Sequence, residues 1–256
     1  MPDKVIIEGE NNVLTFTLSN PLKRNAISFG MYDELERGLE DALASNTLRV
    51  VILRGAGGAF AGGTDVHDLS SVTTGGEGIA YEAHMRRVQS KLLALRVPVV
   101  AVVEGPCAGG GLVLAALSDF VYCTPEAVFG SPVARTMGNT VSASSVARLF
   151  ECFGRRRTAE VLLAGRLIPA AEAERSGFVT ELVSTELLEE KIDKLISDVR
   201  VCSPATIASF KEIERRIDSS VMNINVDDVF ERIYGGPDFR EGVSAFMEKR
   251  TPQFAD

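Results

Sequence analysis

Two stretches of this 256-residue chain can do chemistry with backbone atoms alone: "GAGGAFAGGTDVHDL" from residue 55 and "GPCAGGGLVLAAL" from residue 105. Each follows an apolar run, "VVILR" or "VVAVVE", and each leads into a helical pattern. Glycine lets the backbone approach a ligand closely, and the first N–H groups of a helix have no partner within it. Such donors can hold an oxygen that is acquiring negative charge. In open α/β sheets, ligands sit beyond the carboxyl ends of strands, where both turns emerge. The same glycines also suit tight helix–sheet packing. A dinucleotide site fits less well, because the GxGxxG spacing with a downstream ribose-binding acid is absent.

Titratable residues near these turns are few. The only histidines are His67, three residues beyond Thr64, and His84, on the segment between the turns; either is a titratable group within reach of a ligand or an ordinary surface residue. Asp65, directly after Thr64, is a candidate for contact with the substrate and, at a turn-to-helix junction, also suits a cap; Asp68 and Glu126 read as structural. Arg135 can attract an acidic group. Asn139 can orient a carboxylate or a water, or can cap the helix that follows in "SASSVARLF".

The elements that must position these residues alternate. "NVLTFTLSN" places Leu14, Phe16 and Leu18 on one side, a half-buried strand. "SFGMYDELERGLEDALASN" spaces Met31, Leu35, Leu39 and Leu43 by four, an amphipathic helix. "RVVILRG" and "VPVVAVVEG" read as strands, with a helix around 79–95 between them. "GGGLVLAALS" reads as a buried helix and "DFVYCTP" as a further strand. Strand–helix alternation implies an α/β fold with crossover connections. Beyond residue 185 the pattern becomes helical, so a core over residues 1–184 and a helical module over 185–256 are expected.

Composition narrows the classes. Lys plus Arg number 27 against 35 Asp plus Glu, a formal charge of −8, and the basic residues are scattered apart from "RRR" at 155–157, which disfavours nucleic acid. The four cysteines form no CxxC pair and have only two histidines to complete a site, against a disulfide framework or a metal centre and in favour of a reducing cytoplasm. The N-terminus lacks a basic region followed by an apolar core, and no apolar run reaches the ~18 residues that span a bilayer, so no membrane partner is expected.

"NPLKRNAIS", "GGAFAGGTDVHDL", "VEGPCAGGGL", "FGSP", "LAGRLIPAAEAERSGFV" and "EGVSAFMEKR" occur in this order over nearly the whole chain. Together they resemble the enoyl-CoA hydratase/isomerase (crotonase) superfamily. The resemblance implies an α/β crotonase-like superhelix of repeated strand–strand–helix turns with a helical C-terminal module. It implies an acyl-CoA thioester as substrate, coenzyme A entering as part of that thioester and no tightly bound cofactor. It also implies a homotrimer or a dimer of trimers, with the C-terminal helices packing on a neighbour.

In that family the thioester oxygen sits between two backbone N–H groups, one from each glycine turn. By matching motifs these belong to Thr64 and Gly110, with Gly62, Gly63 and Gly109 shaping the turns. Lys23 and Arg24 are placed to meet CoA phosphates, Ala26, Ala61 and Gly62 to border adenine and pantetheine, and Phe230, Phe246 and Lys249 to reach CoA across a subunit interface. Ser131 and Asn139 match positions where non-hydratase branches such as acyl-CoA decarboxylases hold residues acting on the acyl group.

The family's hydratases carry glutamates two residues after the glycine triplet and directly after the proline of F-x-x-P. This chain has Val113 and Val133 there. Hydration needs groups that activate water and exchange a proton with carbon, and valine does neither. The expected chemistry is therefore isomerisation, decarboxylation, thioester hydrolysis or an atypical hydration through a stabilised enolate or oxyanion. A catalytically silent acyl-CoA-binding subunit is the alternative.

Overall fold

The computed structural model describes residues 3–222 and 224–254. In chain order the elements begin with β1 (Lys4–Glu10), β2 (Val13–Ser19), α1 (Phe29–Ala44), β3 (Val50–Gly55), α2 (Val66–Leu69), α3 (Gly75–Ala94), β4 (Val99–Val103), β5 (Pro106–Ala108) and α4 (Gly110–Ala116). There follow β6 (Phe120–Cys123), β7 (Val128–Gly130), α5 (Val133–Thr136), α6 (Ala143–Leu163), β8 (Ile168–Pro169), α7 (Ala170–Arg175) and β9 (Glu181–Leu182). The chain closes with α8 (Leu188–Val201), α9 (Pro204–Met222), α10 (Asp227–Tyr234) and α11 (Pro237–Met247).

The strands divide between two sheets. One has the order β1-β2-β3-β4-β6-β9, parallel except for the β1–β2 pair. The other joins β5, β7 and β8, and isolated bridges Ala61–Cys107 and Ile27–Thr64 extend the same kind of pairing along the earlier part of the chain. Each passage thus runs from a long strand, through a short strand or bridge, into a helix: the expected strand–strand–helix repeat. β4, "VVAVV", is buried at every position, as a parallel strand covered on both faces must be. β1 carries too little pattern to be read from sequence, because it is an edge strand in which only Val5 is buried.

The α1 stripe differs by one position from its sequence reading. Met31, Leu35, Leu39 and Ala42 are buried, whereas Leu43 is 36% exposed. A strict interval of four outruns a helix of 3.6 residues per turn, so after three turns the buried position has moved back by one residue.

The helices beyond 185 pack on their own chain. α8 lays Leu188, Ile192, Ile196 and Val199 against Val50, Ile52, Val100, Val102 and Tyr122 of the sheet. α9 is tied down by buried Lys211, whose Nζ donates to Asp119 Oδ1 at 2.6 Å, while Asp119 Oδ2 accepts from the Val99 N–H. α10 crosses α3 at Gly78, where an added methyl group would fall 2.3 Å from Tyr234 Cβ. Gly78 therefore sets how closely Tyr234 approaches α3.

Candidate active site

The two glycine turns lie side by side. Phe60 and Ala61 donate backbone hydrogen bonds to the Pro106 carbonyl, and Ala108 donates back to Ala61 at 2.8 Å. Gly109 takes φ 51° and ψ −119°, a conformation open only to glycine, and donates to the Gly130 carbonyl at 3.0 Å. At Gly110 the constraint is space: an added methyl group would sit 2.4 Å from the Tyr32 hydroxyl. Among the described residues, the N–H groups of Thr64 and Gly110 donate to no protein acceptor.

Both residues border a cavity of about 280 Å³. Thr64 is held in place there by two tyrosines: its Oγ1 lies 3.0 Å from the Tyr32 hydroxyl and 2.8 Å from the Tyr81 hydroxyl. Burial pushes both phenols above their ordinary range, so they remain neutral hydrogen-bonding groups. Met85, Val88, Val113, Leu114 and Val133 supply apolar wall, so both positions of the missing glutamates face the cavity as valines.

The cavity lining also holds a carboxyl that sequence reasoning missed. Glu82 on α3 lines the cavity and is 8% exposed; the Tyr234 hydroxyl, from α10, donates to its Oε1 at 2.5 Å. Burial pushes the Glu82 carboxyl up to about 7, against the opposing pull of the Tyr234 hydrogen bond and the Arg86 charge. Asn139 acts on the Tyr234 hydroxyl as well, in the sense that lowers its pKa, against the burial that dominates and raises it. No local pattern marks Glu82 in the sequence: Gly78, Met85 and Gln89, its neighbours on the buried stripe of α3, are too mixed in polarity to read as a buried face.

Ser131 and Asn139 line the cavity, and the buried atoms Ser131 Oγ and Asn139 Oδ1 have no hydrogen-bond partner among the described residues. Gly62, Gly63 and Gly109 line it too. Phe246 borders the cavity of its own chain while remaining 56% exposed.

The readings of His67, His84, Asp65 as a substrate contact, Phe230, Ala61, Ala26 and Arg135 are corrected. His67 is exposed and outside the cavity wall; its backbone N–H caps onto Asp65 Oδ1 at 3.0 Å. His84 faces α1, with Nε2 2.9 Å from Asp33 Oδ1, because α3 turns its other side to the cavity. Asp65 is buried outside the cavity lining, where it caps α2 and accepts from Lys23 Nζ at 2.5 Å. Asp68 Oδ2 accepts from the Phe29 N–H at the start of α1, the structural role expected of it. Phe230 is fully buried in a cluster with Leu69, Tyr234 and Phe239 of its own chain, so it has no side-chain surface left for a ligand on a neighbour. Ala61 is fully buried, its carbonyl spent on Ala108, and Ala26 is half-buried outside the cavity lining. Arg135 is exposed and packs by Gly165, outside the lining. Lys249 is exposed at φ 55°, just past α11.

Asp33, Glu36 and His84 bring possible metal-donor atoms within 4.8 Å of one another, outside the cavity. Glu36 already binds Lys91 at 2.8 Å and Arg87 at 3.2 Å, so protein cations balance its charge.

The arrangement can therefore do two things: present paired backbone donors to one oxygen, and present one buried, protonatable carboxyl to the same space. Comparison with known proteins agrees with the fold that builds it. A probable mitochondrial enoyl-CoA hydratase of Dictyostelium discoideum is 30% identical over 250 residues, covering 96% of this chain and 88% of that protein. A probable enoyl-CoA hydratase of Mycobacterium leprae is 29% identical over 255 residues, covering 98% of each. The crystal structure of an enoyl-CoA hydratase/carnithine racemase from Magnetospirillum magneticum superposes with a TM-score of 0.81 at 28% identity, covering 100% of this chain and 96% of that one. The enoyl-CoA hydratase/isomerase family profile matches residues 8–256, and the chain belongs to that family.

Proposed function

We propose that this chain binds an acyl-CoA thioester and acts on it through an enolate or oxyanion held by the N–H groups of Thr64 and Gly110. The observation that carries this reading is an adjacency. Two backbone donors without acceptors among the described residues border one cavity whose wall, at the family's two glutamate positions, is Val113 and Val133. Preorganised donors in a dry site contribute about 3 kcal/mol each to an oxyanion transition state. The reaction belongs to the isomerase, decarboxylase, hydrolase or atypical hydratase branches; the relatives' printed names, hydratases, do not transfer to a wall without their acid–base pair.

Lys23 and Arg24 meet the CoA phosphates in this reading. Lys23 already donates to Asp65, but an ammonium has three donors and its side chain is 51% exposed, so it can serve both. The unpartnered Ser131 Oγ and Asn139 Oδ1 suit an acyl chain bearing a hydrogen-bonding substituent. Coenzyme A enters as part of the substrate, and no bound cofactor is needed. Phe210 and Ile213 on α9, 64% and 56% exposed, support self-association as a trimer or dimer of trimers. Sedimentation at micromolar concentration checks this, a stable monomer being the contrary result. Among the described residues no helix is long and apolar enough to cross a membrane, in keeping with a cytoplasmic enzyme.

The test is turnover of a panel of CoA thioesters by the unmodified chain. Negligible hydration of crotonyl-CoA is expected, with a better substrate among those whose reaction needs only enolate stabilisation. Crotonyl-CoA hydration with kcat/KM above about 10⁴ M⁻¹s⁻¹ would overturn the reading of the two valines.

A further inference from the structure

Glu82 lies outside the motifs that carry the family resemblance, yet among the described residues it is the carboxyl that lines the cavity. Keeping a carboxyl on a buried helical stripe is unfavourable unless it is hydrogen-bonded, and the partner it has is a neutral phenol rather than a cation. That partner comes from α10, brought against α3 by Gly78, so the two ends of the pair are built by helices far apart in sequence. The groups facing Glu82 are Tyr234 from α10, Tyr32 from α1, and Tyr81 and Arg86 on α3 itself.

Resting on the enolate reading above, we propose that Glu82 is the catalytic residue that carries the proton in a 1,3-shift on a β,γ-unsaturated acyl-CoA, with Tyr234 as its positioning residue. The ionised Glu82 takes a proton from the α-carbon. The C–H electron pair becomes the α-carbon–carbonyl-carbon double bond, and the carbonyl π pair moves onto the oxygen facing Thr64 and Gly110. On collapse that pair returns to the carbonyl and the α,β double bond forms. The former β,γ π pair takes the proton from Glu82 at the γ-carbon. One carboxyl ends as it began, and no water, oxidant or second acid is consumed. This is why a single carboxyl suffices here where hydration uses two. The apolar wall of Met85, Val88, Val113 and Leu114 favours return of the same proton over its loss to water.

The experiment follows vinylacetyl-CoA conversion to crotonyl-CoA by its ultraviolet absorbance, using the natural chain, Glu82→Gln, Glu82→Asp and Tyr234→Phe. The natural chain should isomerise it, and Glu82→Gln should lower kcat at least about a hundredfold with unchanged thioester affinity. Glu82→Asp should recover part of the rate. With α-deuterated substrate in ordinary water, part of the label should appear at the γ-carbon of the product. The rate should rise with pH through about 7 as Glu82 ionises, and Tyr234→Phe, which removes a hydrogen bond to the carboxylate, should move that limb to higher pH. A folded Glu82→Gln that isomerises at the natural rate would overturn the assignment. If Glu82→Gln does not fold, a pH limb unmoved in Tyr234→Phe overturns it instead. A natural chain that exchanges the α-protons of butyryl-CoA but leaves vinylacetyl-CoA untouched would sink the 1,3-shift while leaving the enolate reading standing. A chain doing neither would overturn both.

Discussion

In one part of the cavity lining the polar atoms belong to the backbone: the N–H groups of Thr64 and Gly110, set by two turns that hydrogen-bond to each other. In another they belong to side chains, with Glu82 and its partner Tyr234 separated by 152 residues in sequence. The first wall is made from local sequence, a strand, a glycine turn and a helix start, and the family resemblance marks it directly. The second depends on how α10 crosses α3, and none of the matched motifs contains it. The difference teaches that a local motif can be read from sequence alone, whereas a pair of side chains from distant helices has to wait for the fold.

The largest effect expected on the backbone wall comes from Gly110→Pro, which removes one N–H donor. Activity on the chain's substrate should fall about a thousandfold, with circular dichroism confirming the fold because proline also restricts the backbone. Gly110→Ala is a second probe: its methyl group would press on the Tyr32 hydroxyl, which also touches Thr64, so both donors should be disturbed.

The side-chain wall should announce itself in stability as well as rate. The Glu82 carboxyl is raised in the folded chain to about 7 from an ordinary 4.5. Its contribution is therefore fully present below pH 4.5 and is lost as pH rises through about 7, because the folded state resists ionising it. The loss is about 3 kcal/mol on crossing that window. Glu82→Gln should gain on the natural chain by about that amount between the two limits, measured by urea unfolding at several pH values. A constant difference across the window would mean that Glu82 ionises as freely in the folded chain as in the unfolded one.

Smaller effects are expected outside both walls. Replacing Lys23 and Arg24 together with alanine should weaken CoA affinity by about 1 to 3 kcal/mol, and the loss should shrink as salt rises. Unchanged affinity at low salt would remove them from the site. Asp65→Ala, which deletes the α2 cap and the partner of Lys23, should lower stability by about 1 kcal/mol.

The sequence was most legible where structure is local. The alternation of strands and helices, the glycine turns and the two valines all emerge where the patterns place them. The readings that failed needed tertiary facts. His67 and His84 sit on segments that border the cavity, but each points away from it, because helix rotation is set by packing and not by nearness in sequence. Phe230 looked available for a ligand and is instead locked among Leu69, Tyr234 and Phe239. Glu82 went unread because "AYEAHM" looks like any solvated helix until α10 covers that face.

The central claim is that this chain makes a thioester enolate without the hydratase acid–base pair. The most direct measurement is exchange of the α-protons of butyryl-CoA with D₂O, followed by proton NMR with the unmodified chain. This saturated thioester can enolise but can be neither hydrated nor isomerised, so exchange reports enolate formation alone. The account predicts exchange at the α-carbon, nearly abolished in Glu82→Gln. A natural chain that binds butyryl-CoA, leaves its α-protons in place and hydrates crotonyl-CoA efficiently would contradict it.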